Sequence, residues 1–495
     1  MTPAVRVRMY RQGLGDCFLV TFDVGGDERH VLFDCGTLGA TTTGVKLADV
    51  VADIRKTTND HLHLVIATHE HWDHLAGFGG QEDEFKKITV DHVWLAWTEN
   101  PDDTLAQQLA KNKSDLELAL VASSSALTSP GVSEEATALG RFVQDLLGFY
   151  GDVSALGASG EISTQLNDAM DFVRTKLGVA AEFRMPGEPV IEESWLPGFR
   201  IYVLGPPHDA AALNDTGEQG SSELYGLTVG FRARLAAAKA AANPASAGAP
   251  ADTKEFDAEL PFAPHFRHAL KNGETSRALA GYLDQSSAWR RIDEDWLTVA
   301  SDLALQLDNL TNNTSLALAI ERIADGKVLL FPADAQQGNW LSWHDPNMKW
   351  TVGTGTSARE VIAKQLLART VFYKVGHHSS HNATAKAKGL ELMEAEDELT
   401  AFIPVDRAVA LKRNPPGSWQ MPARPLYRRL LEKCHGRVVR SDLGWADDAA
   451  NAKNPAVEQQ FVQIATADEW NTWRASQKAA TNVQIGKLFV DYVLK

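Results

Sequence analysis

An α/β sandwich interrupted by helical insertions is the fold class this sequence predicts, and three observations carry it. The chain opens on β-forming runs separated by tight turns. A buried run, HLHLVIAT, then delivers its C-terminal end into the polar loop THEHWDHLAGFGG. From TSLALAIER onward, short β-rich runs again alternate with polar loops and one helix-patterned segment, which is the pattern of a second sandwich half.

Taken in order, VRVRMY, CFLVTFDV and HVLFDCG read as three strands of an antiparallel start, with GLGD and VGGDE supplying the turns. GVKLADVVADIRKT has helical spacing and precedes HLHLVIAT. Residues 1–80 are therefore expected to form the first half of the core. Residues 81–195 look like a helical acidic insertion: over 81–200 there are 20 Asp/Glu against nine Lys/Arg. FRIYVLGPP returns as a core strand within 196–210, and 211–308 is an Ala-rich, helical insertion containing LAAAKAAANPASAGAPADT. The second core half spans 309–450 through KVLLFPADA, SAREVIAKQLLAR, TVFYKVGHHSS and TAFIPVD. A C-terminal extension, 451–495, holds FVQIAT and KLFVDYVL, short runs suited to a small sheet.

Composition bounds the function. With 495 residues, 44% hydrophobic and 23% charged, the chain has the material for one elaborated catalytic domain. It has no apolar stretch of about 18 residues, and MTPAVRVRMYRQG has no secretory h-region, so a cytoplasmic location without a membrane partner is expected. Cys17, Cys35 and Cys434 make neither a disulfide framework nor a paired-cysteine zinc site. The net charge of −16 repels polyanions and weighs against extended non-specific nucleic-acid binding. Residues 401–440 differ, with nine Lys/Arg against Asp406 and Glu432, a local charge of +7.

His69, His71, Asp73 and His74 crowd four potential ligands into six residues directly after a strand. Nitrogen and carboxylate oxygen suit Zn²⁺ best, with Mn²⁺ or Fe²⁺ as alternatives, and no cysteine lies near enough for a sulfur-rich site. Alternation aims His69 and His71 at one ion, and the adjacent Asp73 and His74 can turn to a second. Singly, each is an ordinary loop residue; the cluster points to metal. Asp334 in FPADA is placed to bridge two cations, and GHHSSH brings His377, His378 and His381, so six of the 15 histidines fall in two stretches.

THEHWDH resembles the HxHxDH signature of metallo-β-lactamase-fold hydrolases, and VLFDCG, FPADA and KVGHHSSH resemble its flanking motifs in the same order. RQGLGDCFLV, NNTSLAL, RNPPGSWQMP and GRVVRSDLG add a closer similarity to the soluble domain of ComEC-type DNA-uptake proteins. The resemblance covers about half the chain and implies a four-layer αββα sandwich. It implies that His69 and His71 hold the first ion, that Asp73, His74 and His377 hold the second, and that Asp334 bridges them. Asp34 would orient a ligand, its alternative being simply to end a strand. Many such hydrolases carry a further metal-binding histidine before the bridging Asp. No obvious counterpart stands here, and His208 and Asn313 are the candidates. Where DNA-uptake relatives tend to carry a His before Pro422, this chain has Met421.

The chemistry implied is hydrolysis by a metal-bridging hydroxide, with Asp73 orienting the water and His378 or His381 serving the leaving oxygen. Phosphodiesterase or nuclease activity is the leading expectation, with DNA, RNA or a nucleotide as substrate and Lys412, Arg413 and Arg424 as phosphate contacts. The arginines of RPLYRRLLEK read equally well as a solvated helix face. The alternatives are hydrolysis of an ester, thioester, lactam or lactone on the same site, or a non-catalytic metal-binding scaffold. The acidic insertion is expected to favour small or single-stranded substrates over long duplexes. Trp94, Trp97 and Trp296 are assigned to no site, and protein partners are not indicated.

Overall fold

A computed structural model describes residues 2–39, 41–128, 134–151, 164–215, 295–412, 419–445 and 482–495. The opening runs form β1 (Val5–Tyr10), β2 (Phe18–Val24) and β3 (Asp27–Phe33), an antiparallel meander. Helix α1 (Leu47–Thr58) crosses over to β4 (His61–Ile66), which pairs parallel with β3. Strands β5 (Thr89–Ala96) and β6 (Ala181–Arg184) extend the sheet in parallel. On the other edge, β17 (Phe489–Leu494) pairs antiparallel with β1, and β16 (Val483–Ile485) pairs with β17.

The second sheet has the order β15–β14–β13–β12–β9–β8–β7. Its strands are β7 (Phe199–Gly205), β8 (Ala317–Arg322), β9 (Val328–Phe331), β12 (Thr370–Lys374), β13 (Thr400–Ile403), β14 (Val438–Arg440) and β15 (Gly444–Trp445). A separate hairpin joins β10 (Lys349–Val352) to β11 (Arg359–Ile362).

Period-two alternation divides each sheet between two cores. Val31, Phe33, Val20 and Trp94 of the first sheet and Ile201, Leu318, Leu329 and Phe331 of the second share one apolar layer. Phe33 stacks on Phe331 there at 4.3 Å between centroids. The alternate residues, such as Leu32, Val65, Val93, Tyr202 and Ala319, join Val50, Ile54 and Phe78 of the helices in a second cluster. Helix, sheet, sheet and helix therefore stack as the mixed α/β arrangement expected.

Two boundaries differ from expectation. Residues 81–195 are not wholly helical, because TVDHVWLA and AEFR are sheet strands whose alternation is masked by acidic flanks. The helical part is α3 (Thr104–Leu127), α4 (Glu134–Leu147) and a shorter pair of turns over 164–176. KLFVDYVL makes no small sheet of its own, since its β17 prolongs the first sheet through β1. FVQIAT and the Ala-rich stretch lie outside the described residues, as does most of 211–308 except its two ends. Among the described residues, no helix is long and apolar enough to cross a membrane.

His30 and His63 sit nearly buried side by side on β3 and β4, where the His30 N–H donates to His63 Nδ1 at 3.2 Å. Burial, then nearby cations including Arg29 and His61, lowers both imidazoles to about 4. An unfolded histidine titrates near about 6.5. The stability these rings contribute is therefore complete above that pH and is lost as pH falls toward 4, because the unfolded chain binds protons that the folded chain refuses. A His30→Gln/His63→Gln protein is expected to show a flatter fall of its urea midpoint between pH 6.5 and 4 than the parent. Parallel curves would rule the rings out as the titrating groups.

Candidate metal centre

The centre lies where four loops leave the C-terminal ends of β3, β4, β9 and β12. The loop after β4 carries His69 and His71 and runs into α2 (Trp72–Gly80), whose first turn holds Asp73 and His74. The loop after β9 brings Asp334, and the loop after β12 brings His377 and His378. His69, His71, Asp73, His74, Asp334 and His378 are all at most 1% exposed. Ligand atoms of His69, His74 and Asp334 lie within 4.8 Å of one another, as do those of Asp73, Asp334 and His378.

Strained backbone concentrates here. Asp34, Ala333, His377, His378 and Ser379 all have positive φ, between 41° and 64°. Each such non-glycine residue costs on the order of 1–3 kcal/mol and persists only where its surroundings dictate it. Three of them in succession decide which imidazole turns inward. His377, expected from the sequence at the second ion, has its ring nitrogen Nδ1 3.0 Å from Ser380 Oγ, while its backbone N–H donates to Asp334 Oδ1 at 2.8 Å. The His378 ring points to Asp73 instead, with Nε2 2.8 Å from Oδ2 and Nδ1–H on the Pro404 carbonyl.

Asp34 accepts from the Thr68 N–H, the Thr68 hydroxyl and His74 Nδ1–H, each at 2.8 Å. That bond leaves His74 Nε2 turned to Asp334 Oδ2 at 3.2 Å and Asp73 Oδ2 at 3.7 Å. Across the site, Lys374 on β12 donates to Asp334 Oδ1 and the Ala333 carbonyl, both at 2.9 Å, and pairs with Asp16 of the GLGD turn.

Electrostatics follows from this burial. Burial lowers His69 far below the usual histidine range and His71 to about 3, so both are neutral. His74 and His378 are also penalised by burial, yet the carboxylates around them outweigh it and raise both. Burial likewise opposes ionisation of Asp334, but Lys374 and His74 hold it well below the usual carboxylate value. Asp16 rises to about 6, burial outweighing Lys374.

The donor set fits a pair of divalent cations. His69 Nδ1 bonds to the Thr68 hydroxyl and His71 Nε2 to Tyr150 OH, so the other nitrogens, His69 Nε2 and His71 Nδ1, face each other at 3.1 Å. That spacing is close to the ~3.3 Å at which tetrahedral zinc ligands stand apart. Asp73 Oδ1, His74 Nε2 and Asp334 Oδ2 are buried without hydrogen-bond partners, a costly arrangement that a cation would relieve.

The remaining expected residues fall elsewhere. His208 is exposed, its ring tilted against that of Trp97, is bonded to Asp103 at 3.0 Å, and belongs to none of the close ligand groups. Asn313 is buried, but its amide donates to the Leu213 and Asp215 carbonyls and its oxygen accepts from the Gln336 and Asn339 N–H groups. It braces the loop after Asp334 and has no lone pair directed at the histidines. His381 is exposed. Lys412 ends a short helix and Arg424 opens α6 (Arg424–Lys433) in solvent, while Arg413 lies outside the described residues. In the same helix, Arg428 pairs with Glu432, Arg429 with Glu391 and Lys433 with Glu396. Trp94 and Trp97 are core residues.

Asp16, Lys374, Tyr150 and Asp308 escaped the sequence reading. GLGD read only as a turn, and Lys374 was overlooked beside the two histidines that follow it. Tyr150 and Asp308 come from helices whose approach no local pattern encodes. Gly36 is where β3's exit loop touches α2: a Cβ there would lie 2.1 Å from the Asp73 carbonyl carbon and 2.3 Å from His74 N. Gly36→Ala is therefore expected to shift the metal loop and weaken metal binding by about 10–100-fold, the range seen when ligand supports are lost. Competition with a chromophoric chelator measures this, and parental affinity would show that the loop relaxes freely.

Among the described residues two further groups occur, Asp16, Asp34 and His74 within the centre, and one near the surface made by His61, His63 and Asp91. Its His63 Nδ1 already accepts a backbone N–H, which leaves Nε2 protonated and unsuited to a cation.

A family model described as the Metallo-beta-lactamase superfamily matches residues 10–149, a span that contains Asp34 and the whole 69–74 loop. That superfamily consists mostly of metal-dependent hydrolases, and the fold and the buried His/Asp groups agree with it. No curated protein matches the chain.

Proposed function

We propose that this chain is a metal-dependent phosphodiesterase or nuclease with two divalent ions, zinc foremost, at the His/Asp centre. The observation that carries the hydrolase part is the meeting of THEHWDH with FPADA and KVGHHSS in one buried cluster whose lone pairs lack donors. The phosphodiester part is supported by the ComEC-type motifs and by how they adjoin. Asp16 of GLGD pairs with Lys374, and the Ala423 N–H, just past RNPPGSWQMP, donates to the Ser379 carbonyl at 2.7 Å. Trp419 of that segment stacks on Phe149 at 5.0 Å, and the Phe149 ring lies 5.3 Å from that of His71.

Bound ions would supply Lewis acidity at this centre. His69, His71, Asp73, His74 and Asp334 would hold them, with Asp34 and Lys374 fixing His74 and Asp334. His378 Nε2 beside Asp73 Oδ2 is placed to hold a proton next to the reacting group. Lys412 and Arg424 are placed by this reading at the phosphate, and the acidic helices α3 and α4 would disfavour long duplexes.

Purified protein reconstituted with Zn²⁺ or Mn²⁺ is expected to hydrolyse bis-p-nitrophenyl phosphate and to lose that activity with a chelator. No turnover of the diester beside clear turnover of a chromogenic lactam or a thioester would replace this reading with acyl hydrolysis. Unchanged biological activity of a metal-free His71→Ala/Asp73→Ala protein would replace it with a scaffold.

A further inference from the structure

His69 and His74 take their orientation from their own half of the fold. The Thr68 hydroxyl donates to Asp34 and accepts from His69 Nδ1–H at 3.1 Å, while Asp34 accepts from His74 Nδ1–H at 2.8 Å. His71 is held instead from beyond the matched family span, which ends at residue 149. Building on the two-metal reading above, we propose that Tyr150 is the positioning residue of His71, the middle link of a one-way hydrogen-bond chain anchored on helix α5 (Asp295–Asn313).

The direction of the chain follows from its far end. The Thr311 hydroxyl donates to the Leu307 carbonyl one turn earlier on α5, at 3.0 Å, and a carbonyl can only accept. Thr311 Oγ1 therefore accepts from the Tyr150 O–H 2.8 Å away, and the Leu307 carbonyl is a second acceptor 3.2 Å from the same hydroxyl. With its proton directed into α5, the Tyr150 oxygen accepts from His71 Nε2–H at 3.1 Å. A neutral imidazole protonated at Nε2 presents a bare Nδ1, and His71 Nδ1 is the atom that faces His69 Nε2 at 3.1 Å. The Tyr150 ring also packs edge to face with the imidazole, with centroids 5.1 Å apart. Tyr150 thus fixes both which nitrogen of His71 is bare and where it points.

The anchor is itself tied to the centre. Asn309 of α5 accepts from Gln336 Nε2 at 2.9 Å and from Asn382 Nδ2 at 3.2 Å, which links the helix to the loops that bring Asp334 and His377. Tyr150, Asn309 and Thr311 are all buried, so water does not compete for these bonds. His71 is then fully oriented only when α5 is docked.

The test uses the full chain loaded with ZnSO₄ and titrated with a chromophoric chelator, beside a CoCl₂-loaded sample whose visible absorption bands report ligand geometry. Tyr150→Phe keeps the ring and removes the acceptor. It is expected to weaken metal retention by about 10–100-fold, the range for lost ligand supports, and to move the cobalt bands. Thr311→Val is expected to give a smaller change of the same kind, and Thr311→Ser, which keeps the hydroxyl, parental values. A packing role alone predicts the reverse order at Thr311, since valine keeps the methyl that serine lacks. Circular dichroism checks folding, and the Thr311 pair decides the matter where Tyr150→Phe does not fold. Parental affinity and cobalt bands in a folded Tyr150→Phe, or Thr311→Ser poorer than Thr311→Val, overturns this assignment and leaves the hydrolase reading standing. A parent that binds no ion overturns both.

Discussion

Asp334→Asn is expected to abolish hydrolysis and to strip the centre of metal while leaving the chain folded. Asp334 Oδ1 takes hydrogen bonds from Lys374 and the His377 N–H, and Oδ2 turns to His74 Nε2. Asparagine keeps the size and one acceptor oxygen, so the loop after β9 can retain its shape. What it removes is the negative charge shared by both ligand groups and the second oxygen lone pair. Lewis-acid stabilisation by a metal pair is worth several kcal/mol, and each ~1.4 kcal/mol is tenfold in rate, so a loss of at least about 10³-fold is expected. Metal content per chain, initial rates on bis-p-nitrophenyl phosphate and a thermal melt are the measurements. A folded variant with two ions and more than a tenth of the parental rate would refute the bridging role.

Lys374→Met is expected to cause the largest loss of stability of any single substitution at the centre. The ammonium is 2% exposed and lies between Asp16 and Asp334, both nearly inaccessible. Methionine fills similar volume but leaves two buried carboxylates without their cation, and breaking a buried pair from one side costs about 3–5 kcal/mol. The raised basicity of Lys374, which burial opposes and the two carboxylates more than restore, has the same origin. Urea unfolding near pH 7.5 in a chelator should reveal the full loss. Added metal should recover part of it, because a divalent ion also compensates Asp334. A change under 1 kcal/mol in the chelator would mean that the carboxylates find other compensation.

Much of the centre was legible because its parts are local. THEHWDH packs its donors into six residues after a strand, and VLFDCG, FPADA and KVGHHSS each end a strand of their own. Which of two neighbouring imidazoles faces Asp73 was not legible: it depends on three consecutive left-handed residues, 377–379, whose identities do not announce positive φ. Two arginines of RPLYRRLLEK are ion-paired, Arg428 with Glu432 and Arg429 with Glu391, the latter from a segment almost 40 residues away that no local pattern ties to this helix. Thr89–Ala96 was misplaced because acidic neighbours dominate the average over the insertion, whereas strand formation follows the alternation within eight residues.

By itself the sequence determined the layered α/β class, the loops that bear chemistry and the residue types suited to divalent metal, all of them properties of short stretches in which periodicity and spacing operate over a few residues. Only the tertiary structure decided that Lys374 and Asp16 close around Asp334, that Gly36 leaves no room beside α2, and that Asp308 arrives from α5 with a free oxygen. Those relations join residues far beyond the reach of any local spacing. They arise because two sheets pack face to face and bring the ends of their strands together, a constraint of packing that no local pattern records.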